Sequence, residues 1–401
     1  MTGSYDYDLA VIGSGGGAFA AAIRASNLGA RTAVIERAQI GGTCVNVGCV
    51  PSKTLLAAAD AYHTAAVHPY AGVPTSTGPV GLAELIAQKD ELVGHLRQAK
   101  YVDLADAYGF ELIPGQASFA DPETLAVDGR RLRAGAYIIA TGAEPAIPDL
   151  PGLAEADYLT STTAMELSEV PERLVVIGGG FVGMEQGQLF SRLGAEVTII
   201  GRLAPRAEPE MAAWLRRVFT EEGITVVPQR AVSVEWRGNN CVVVTGDGTR
   251  HPATAILVAA GRRPRTDGLG LDAGGVKQDH RGFIVVDDQQ QTSNVRAYAA
   301  GDVTGGPQFV YAAAAQGTVA AENALTGAGR TMDYAGLPSV IFTSPSLASA
   351  GLTEAEALAD GHRCDCRVVE LENVPRAVVN RDTRGAIKMV IDAQTRKLLG
   401  V

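Results

Sequence analysis

One pattern occurs twice in this chain of 401 residues, and it constrains the fold more than anything else in the sequence. Tyr7-Asp8-Leu9-Ala10-Val11-Ile12 reads as a buried strand and Gly13-Ser14-Gly15-Gly16-Gly17-Ala18 as its turn. Phe19 to Leu28 reads as an alanine-rich helix closed by Gly29, and Arg31 to Ile35 as a second strand ending at Glu36. Strand, GxGxxA, helix, strand and acid, in that order, make a dinucleotide-binding unit: glycines let the backbone approach a pyrophosphate at the helix N-terminus, and the acid accepts ribose hydroxyls. Glu36 follows Gly13 by 23 positions, near the roughly 20 such a unit needs. The pattern returns 165 residues later, an interval that means two nucleotide domains rather than a solenoid. There Arg173 to Ile177 precede Gly178-Gly179-Gly180-Phe181-Val182-Gly183, a helix runs to about Leu193, and Glu196 to Ile200 form the next strand.

The two copies differ where the second strand ends. Gly201 stands where Glu36 stood, Arg202 follows it, and Arg206 is close by. A carboxylate repels a 2′-phosphate and arginines bind one, so NADPH is favoured over NADH; otherwise Arg202 and Arg206 are ordinary surface residues.

Directly after the first unit comes Gly41-Gly42-Thr43-Cys44-Val45-Asn46-Val47-Gly48-Cys49-Val50-Pro51-Ser52-Lys53. The glycines allow a tight fold between the two sulfurs, and Pro51 falls where the first turn of a following helix tolerates a missing N–H. Cys49 then lies at a positive helix end, where a cysteine pKa drops from about 8.5 toward roughly 7. This loop is the place for a two-electron thiol centre. The bland readings are two inert cysteines or half of a metal site.

Bulk properties narrow the rest. The chain is 46% hydrophobic and 19% charged with a net charge of −10, which argues against nucleic acid or anionic lipid as a general partner. No basic leader opens it and no apolar stretch is long enough to span a bilayer, so a cytoplasmic location is expected. Five cysteines in a chain this long do not form a disulfide framework. Leu82 to Tyr108 reads as helical, Phe110 to Leu132 as short strands, and Ala312 to Leu325 as a helix of small residues. Pro145, Pro148, Pro151 and Gly152 mark a crossing out of the first domain, and Ile256 to Gly261 echo Ile138 to Gly142. Asp302, ending the strand Val295 to Gly301, reads either as a sugar-hydroxyl acceptor or as a turn aspartate.

Gly13-x-Gly15, Glu36, Cys44 to Lys53, Ala140-Thr141-Gly142, the second glycine loop and Tyr298 to Asp302 together resemble the flavin-dependent pyridine nucleotide:disulfide oxidoreductases over essentially the whole chain. Pro307 to Ala313, Asn373 to Ala377 and Asp382 to Gly385 resemble the mercuric reductase branch, where glutathione and dihydrolipoamide reductases differ. The resemblance implies an α/β fold: a split FAD-binding domain (1–150 and 270–335), an NADPH-binding domain (151–269), and an α+β dimerisation domain (336–401) incomplete at its C-terminal end. It implies FAD on Gly13, Gly15, Gly16, Ala18, Glu36, Ala38, Gly42, Thr43, Lys53, Ala117, Thr141, Gly142, Asp302 and Val310. NADPH is implied on Gly178, Gly180, Gly183, Glu185, Arg202, Arg206 and Gly261. Cys49 is implied as the sulfur nearer the flavin, Cys44 as the one that meets substrate, and Lys53 as a cation beside the flavin paired with Glu185. The activity implied is reduction of Hg(II), held by Cys44 and Cys49, with electrons from NADPH through FAD.

The sequence departs from the pattern at three places. Phe181 stands where a tyrosine is frequent, no Cys-x-x-Cys module precedes Tyr7, and the chain stops at Leu398-Leu399-Gly400-Val401, inside a strand. The resemblance places further interface chain and a terminal cysteine pair beyond that point, so the expectation is a fragment that binds FAD, dimerises poorly and reduces mercury weakly. Cys364-Asp365-Cys366, whose sulfurs would share one face of a strand, reads as ordinary strand residues or else as a substitute metal port, Cys241 reads as core, and the six histidines show no ligand spacing. Two other functions stay open: a low-molecular-weight disulfide reductase, and a non-catalytic fragment that only binds flavin or sequesters thiophilic metal; a homodimer is expected of the full-length protein.

Overall fold

The computed structural model describes residues 5–237 and 240–401. The chain divides into two compact units, one from Met1–Pro51, Gln88–Glu144 and Arg262–Asp333, the other from Ser52–Ala87, Pro145–Gly261 and Tyr334–Val401.

In the first unit a five-stranded parallel sheet runs in the order Ala297–Ala299, Ala134–Ile139, Tyr7–Ile12, Thr32–Glu36, Glu111–Pro114. Tyr7–Ile12 is central, with Val11 opposite both Val34 and Ile138. Its run of apolar residues follows from being covered on both faces. Leu9 and Val11 pack with Ala18, Ala21 and Ala22 of the helix Gly16–Asn27 and with Ala320 and Ala321 of the helix Val310–Thr326. Ala10 and Ile12 point the other way, into a cluster with Phe119, Leu125 and Tyr137. Strand alternation thus builds two cores from four consecutive residues.

The second unit repeats the plan with a four-stranded parallel sheet ordered Thr225–Val227, Glu196–Ile200, Arg173–Ile177, Ala255–Val258. Met184, Leu189 and Phe190 of the helix Phe181–Arg192 pack with Leu174, Val176 and Val197, and Leu55, Leu56 and Ala59 of the helix Cys49–Ala66 join the same core. Three antiparallel strands, Arg367–Glu370, Ala386–Ile391 and Leu398–Gly400, form a further sheet near the C-terminal end. Among the described residues, no helix is long and apolar enough to cross a membrane.

A buried ion network ties the helices of this unit together. Arg192 holds Glu222 through two bonds, Nε–Oε2 at 3.0 Å and Nη2–Oε1 at 2.6 Å, and its Nη1 meets Asp60 of the helix Cys49–Ala66. The Arg192 and Glu222 side chains are only 3% and 6% exposed. Burial by itself would raise the Glu222 carboxyl, but the Arg192 guanidinium and the Gln188 amide hold it below the ordinary value. Removing one partner of such a pair strands a buried charge, at a cost of about 3–5 kcal/mol. Arg192→Leu therefore lowers the urea midpoint of this unit markedly at pH 7. Because the folded carboxyl titrates below its unfolded value, the Glu222 contribution is present above about pH 4.3 and is lost as pH falls through the folded value. The gap between wild type and variant then narrows below that pH, which unfolding curves at pH 7 and pH 4 would measure.

Candidate functional site

The first glycine loop is shaped by what lies behind it. Gly13 has φ +101°, and a Cβ there would fall 2.5 Å from the Ala140 carbonyl oxygen; Gly178, its counterpart, has φ +123° and a Cβ would fall 2.2 Å from the Ala259 carbonyl. Both loops thus press their first glycine on the end of a neighbouring parallel strand, and only glycine fits. The helices that follow start at Gly16 and at Phe181, and neither has a side-chain cap or an acidic residue in its first turn. Their orphan N–H groups and dipoles make two anion seats. The first helix begins three residues before the Phe19 expected from its alanine pattern, because glycines that look like loop carry its first turn.

Glu36 closes its strand with both oxygens engaged. Oε2 accepts from Ser14 Oγ at 2.6 Å and Oε1 from the Ala38 N–H at 2.9 Å. Ser14 Oγ accepts in turn from the Gly41 N–H at 3.1 Å. Ser14, a variable position of the GxGxxA pattern, thereby joins glycine loop, acid and cysteine loop, a role no local motif signals.

The cysteine loop folds as two short pieces. Gly42–Asn46 is one helical turn containing Thr43 and Cys44, and Cys49 opens the helix Cys49–Ala66 with Pro51 in its first turn. Cys49 is exposed and Cys44 half-buried. Gly42 has φ +63°, and a Cβ on it would fall 2.5 Å from the Gly15 Cα. The backbone that carries Cys44 thus rests on the backbone of the nucleotide loop. Asn46 pins the turn, donating to the Ile40 carbonyl at 2.9 Å and accepting from Arg97 Nε at 2.7 Å.

Tyr101 is a neighbour that sequence reasoning missed. The segment Leu82 to Tyr108, expected as a helix, is interrupted by a π-helical turn at Gln98–Val102, a distortion that recurs at functional sites. Tyr101 in that turn stacks edge-on against Phe19, ring centroids 4.7 Å apart. Its phenol is pushed up to about 12, first by burial and then by the negative charge of Cys44 and Cys49. A tyrosine carried on a π-helical turn has no sequence signature beyond its own identity.

Other expected residues fall into smaller groups. Gly16 abuts Val310, a Cβ on the glycine falling 2.9 Å from Val310 Cγ2. Thr141 donates to the Arg265 carbonyl at 2.7 Å, beside Gly142, whose carbonyl accepts from the Arg265 N–H at 3.0 Å. Asp302 opens a short 3₁₀ turn and faces Arg262 Nε at 3.4 Å. Burial pushes its carboxyl up and the Arg262 guanidinium down, while each charge opposes that drift in the other. Ala18 is buried against the sheet, and Ala117 is buried in the strand Ala117–Asp121.

In the second unit Lys53 Nζ lies 2.6 Å from Glu185 Oε2 and 4.7 Å from the centre of the Phe342 ring. The other Glu185 oxygen accepts from the Phe342 N–H at 2.9 Å. Glu185 is buried in the first turns of the helix Phe181–Arg192, after Gly180 and Gly183. Gly179 rests on the Arg202 carbonyl, 2.3 Å from an added Cβ, so the arginine expected at the phosphate is adjacent to the loop. Arg202, Arg206 and Gly261 are exposed.

Comparison with known proteins agrees with this geometry. Residues 7–317 match the family model described as pyridine nucleotide-disulphide oxidoreductase, and residues 337–401 match its dimerisation domain. A mercuric reductase of Streptomyces lividans is 52% identical over 98% of this chain and 85% of its own length; one of Staphylococcus aureus is 48% identical over 98% and 74%. Among solved structures, the HOCl-induced flavoprotein disulfide reductase RclA of Escherichia coli superposes with TM-score 0.87 at 30% identity, covering 98% of this chain and 88% of that one. With two glycine loops of one backbone form, a cysteine pair seated on the first and a matching family model across most of its length, this chain belongs to the pyridine nucleotide-disulphide oxidoreductases.

Proposed function

We propose that the protein reduces Hg(II) to elemental mercury, taking electrons from NADPH through FAD to the Cys44–Cys49 pair. The observation that carries this is the seating of the cysteine turn on the glycine loop through Gly42 and Gly15. Similarity to proteins named mercuric reductase supports Hg(II) as the substrate.

The residues fit a flavin dinucleotide. Gly13 and Gly16 pack too closely on Ala140 and Val310 to carry a Cβ and so keep the loop tight, the helix that follows has no side-chain cap at the end that would face a pyrophosphate, and Glu36 is oriented by two donors for a ribose. Thr43, Ala117, Thr141, Gly142, Asp302 and Val310 would complete the seat. FAD, when bound, supplies the two-electron relay between a nicotinamide hydride and the sulfurs. Gly178, Gly180 and Gly183 would take the NADPH pyrophosphate, and Arg202 with Arg206 its 2′-phosphate.

The chain's own groups have distinct tasks. Cys49, at a helix N-terminus, is favoured as thiolate. Lys53 follows it by four positions, one turn along the same helix, and carries a positive charge that opposes the cost of negative charge developing nearby. Glu185 aims that ammonium. Cys44 and Cys49 hold the soft cation as two thiolates, and metal reduction needs ligands and a donor rather than an acid to protonate a leaving thiol. A homodimer is part of the proposal, supported by the matched dimerisation domain and by exposed Val368 and Ile387 of the C-terminal sheet and Val378 and Val379 of the helix Pro375–Asn380. A reducing compartment, the cytoplasm, suits thiols that must cycle.

NADPH oxidation measured side by side with Hg(II), oxidised glutathione and lipoamide tests the reading: stimulation by Hg(II), abolished in Cys49→Ala, is expected, and stimulation by an organic disulfide alone overturns it. Replacing Arg202 and Arg206 together by alanine should raise KM for NADPH about 10- to 100-fold and leave that for NADH nearly unchanged, since a charged hydrogen bond contributes about 1.5–3 kcal/mol. Tyr101→Phe should slow Hg(II) turnover while rapid-mixing measurement of flavin bleaching by NADPH stays at the wild-type rate, because the phenol faces the sulfurs and not the nicotinamide loop.

A further inference from the structure

Cys364 and Cys366 take no part in the chemistry above. Cys364 forms an antiparallel bridge with Asp392, the Asp365 N–H donates to the Ile391 carbonyl at 2.8 Å, and Arg367 continues the ladder opposite Met389. Residues 364–367 are thus extended, with side chains alternating. The Asp365 carboxylate marks one face, held by Arg367 at 3.0 Å and Arg396 at 2.9 Å. Alternation assigns Cys364 and Cys366 to the opposite face, where burial and then the charge of Glu354 push the Cys366 thiol up. Both are half-buried, and no disulfide joins them.

Spacing and surroundings select what this pair can hold. Two residues of extended chain separate the Cα atoms by about 6.7 Å, the upper limit for a disulfide, whereas an interposed metal adds two bonds of about 2.3 Å. Neighbouring acids are already engaged: Glu354 by Lys388 Nζ at 2.8 Å, and Asp392 by His362 Nδ1 at 2.8 Å and the Thr395 N–H at 2.7 Å. Among the described residues no group of three or more His, Cys, Asp or Glu side chains could hold a metal ion. Zinc wants four ligands and finds two, while a soft cation that accepts two thiolates finds its full set.

We propose that Cys364 and Cys366 form a second thiolate site, one that takes up a soft cation such as Hg(II) without reducing it. Two S–Hg bonds form, two chlorides leave, both thiol protons go to solvent, and no electrons move. The site does not depend on the function proposed for Cys44 and Cys49, so the test removes that pair.

In the flavin-loaded full chain carrying Cys44→Ala and Cys49→Ala, HgCl₂ alone is the probe. One equivalent should silence both remaining accessible thiols toward an aromatic disulfide reagent and produce an ultraviolet sulfur-to-mercury band, and ZnCl₂ should do neither. Cys364→Ser should weaken retention against a competing monothiol at least about a hundredfold, because the second bond is intramolecular. Protection of Cys364 and Cys366 from alkylation by Hg(II), read by mass spectrometry on the wild-type chain, gives the same answer without any substitution. The proposal is overturned if two equivalents are needed to silence two thiols, if zinc matches mercury, or if Cys364 and Cys366 are alkylated equally with and without Hg(II).

Discussion

The close approach of Gly42 to Gly15 is the contact on which the site depends. Most redox cysteines are discussed through their pKa, but here position comes first: a backbone turn bearing one sulfur lies against the backbone turn that would bear a pyrophosphate. A Cβ on Gly42 would fall 2.5 Å from the Gly15 Cα and force them apart. Ser14 reinforces the join by bonding Glu36 on one side and the Gly41 N–H on the other, so acid, phosphate loop and cysteine turn form one rigid piece. A site held within fractions of an ångström by main-chain contacts has little to lose to side-chain motion.

The Lys53–Glu185 pair works differently. Its members are 132 residues apart and come from two helices, and the pair is oriented from outside by Phe342, whose N–H fixes one carboxylate oxygen while its ring faces the ammonium. A buried carboxylate is tolerated because both oxygens are used. Lys53 thereby stays on the same helix as Cys49 with its charge directed, and the helix itself is anchored further along by Asp60 on Arg192.

What was legible in the sequence was local. Strand Arg173–Ile177, both glycine loops, Glu36 at its strand end and Cys49 at a helix start follow from patterns within about thirty residues, where period and turn chemistry speak for themselves. Tyr101 was not, because a π turn inside a well-patterned helix depends on what that helix packs against. The Arg192–Glu222–Asp60 network and the Phe342 contact were invisible for the same reason: each joins residues distant along the chain, and no spacing records it. Lys53 with Glu185 came from family resemblance alone.

The two cysteine pairs show how one residue type is assigned different work by its surroundings. Cys49 opens the helix Cys49–Ala66, at the end whose dipole favours negative charge. Cys366 faces a carboxylate locked to Lys388, which favours the thiol and leaves exchange to a cation soft enough to displace a proton. Spacing acts in the same direction. Four residues separate Cys44, in the helical turn Gly42–Asn46, from Cys49 at the start of the next helix, whereas the segment around Asp365 is extended. The first arrangement suits a pair that cycles between bonded and open forms; the second suits a pair that waits for an ion to fill the gap.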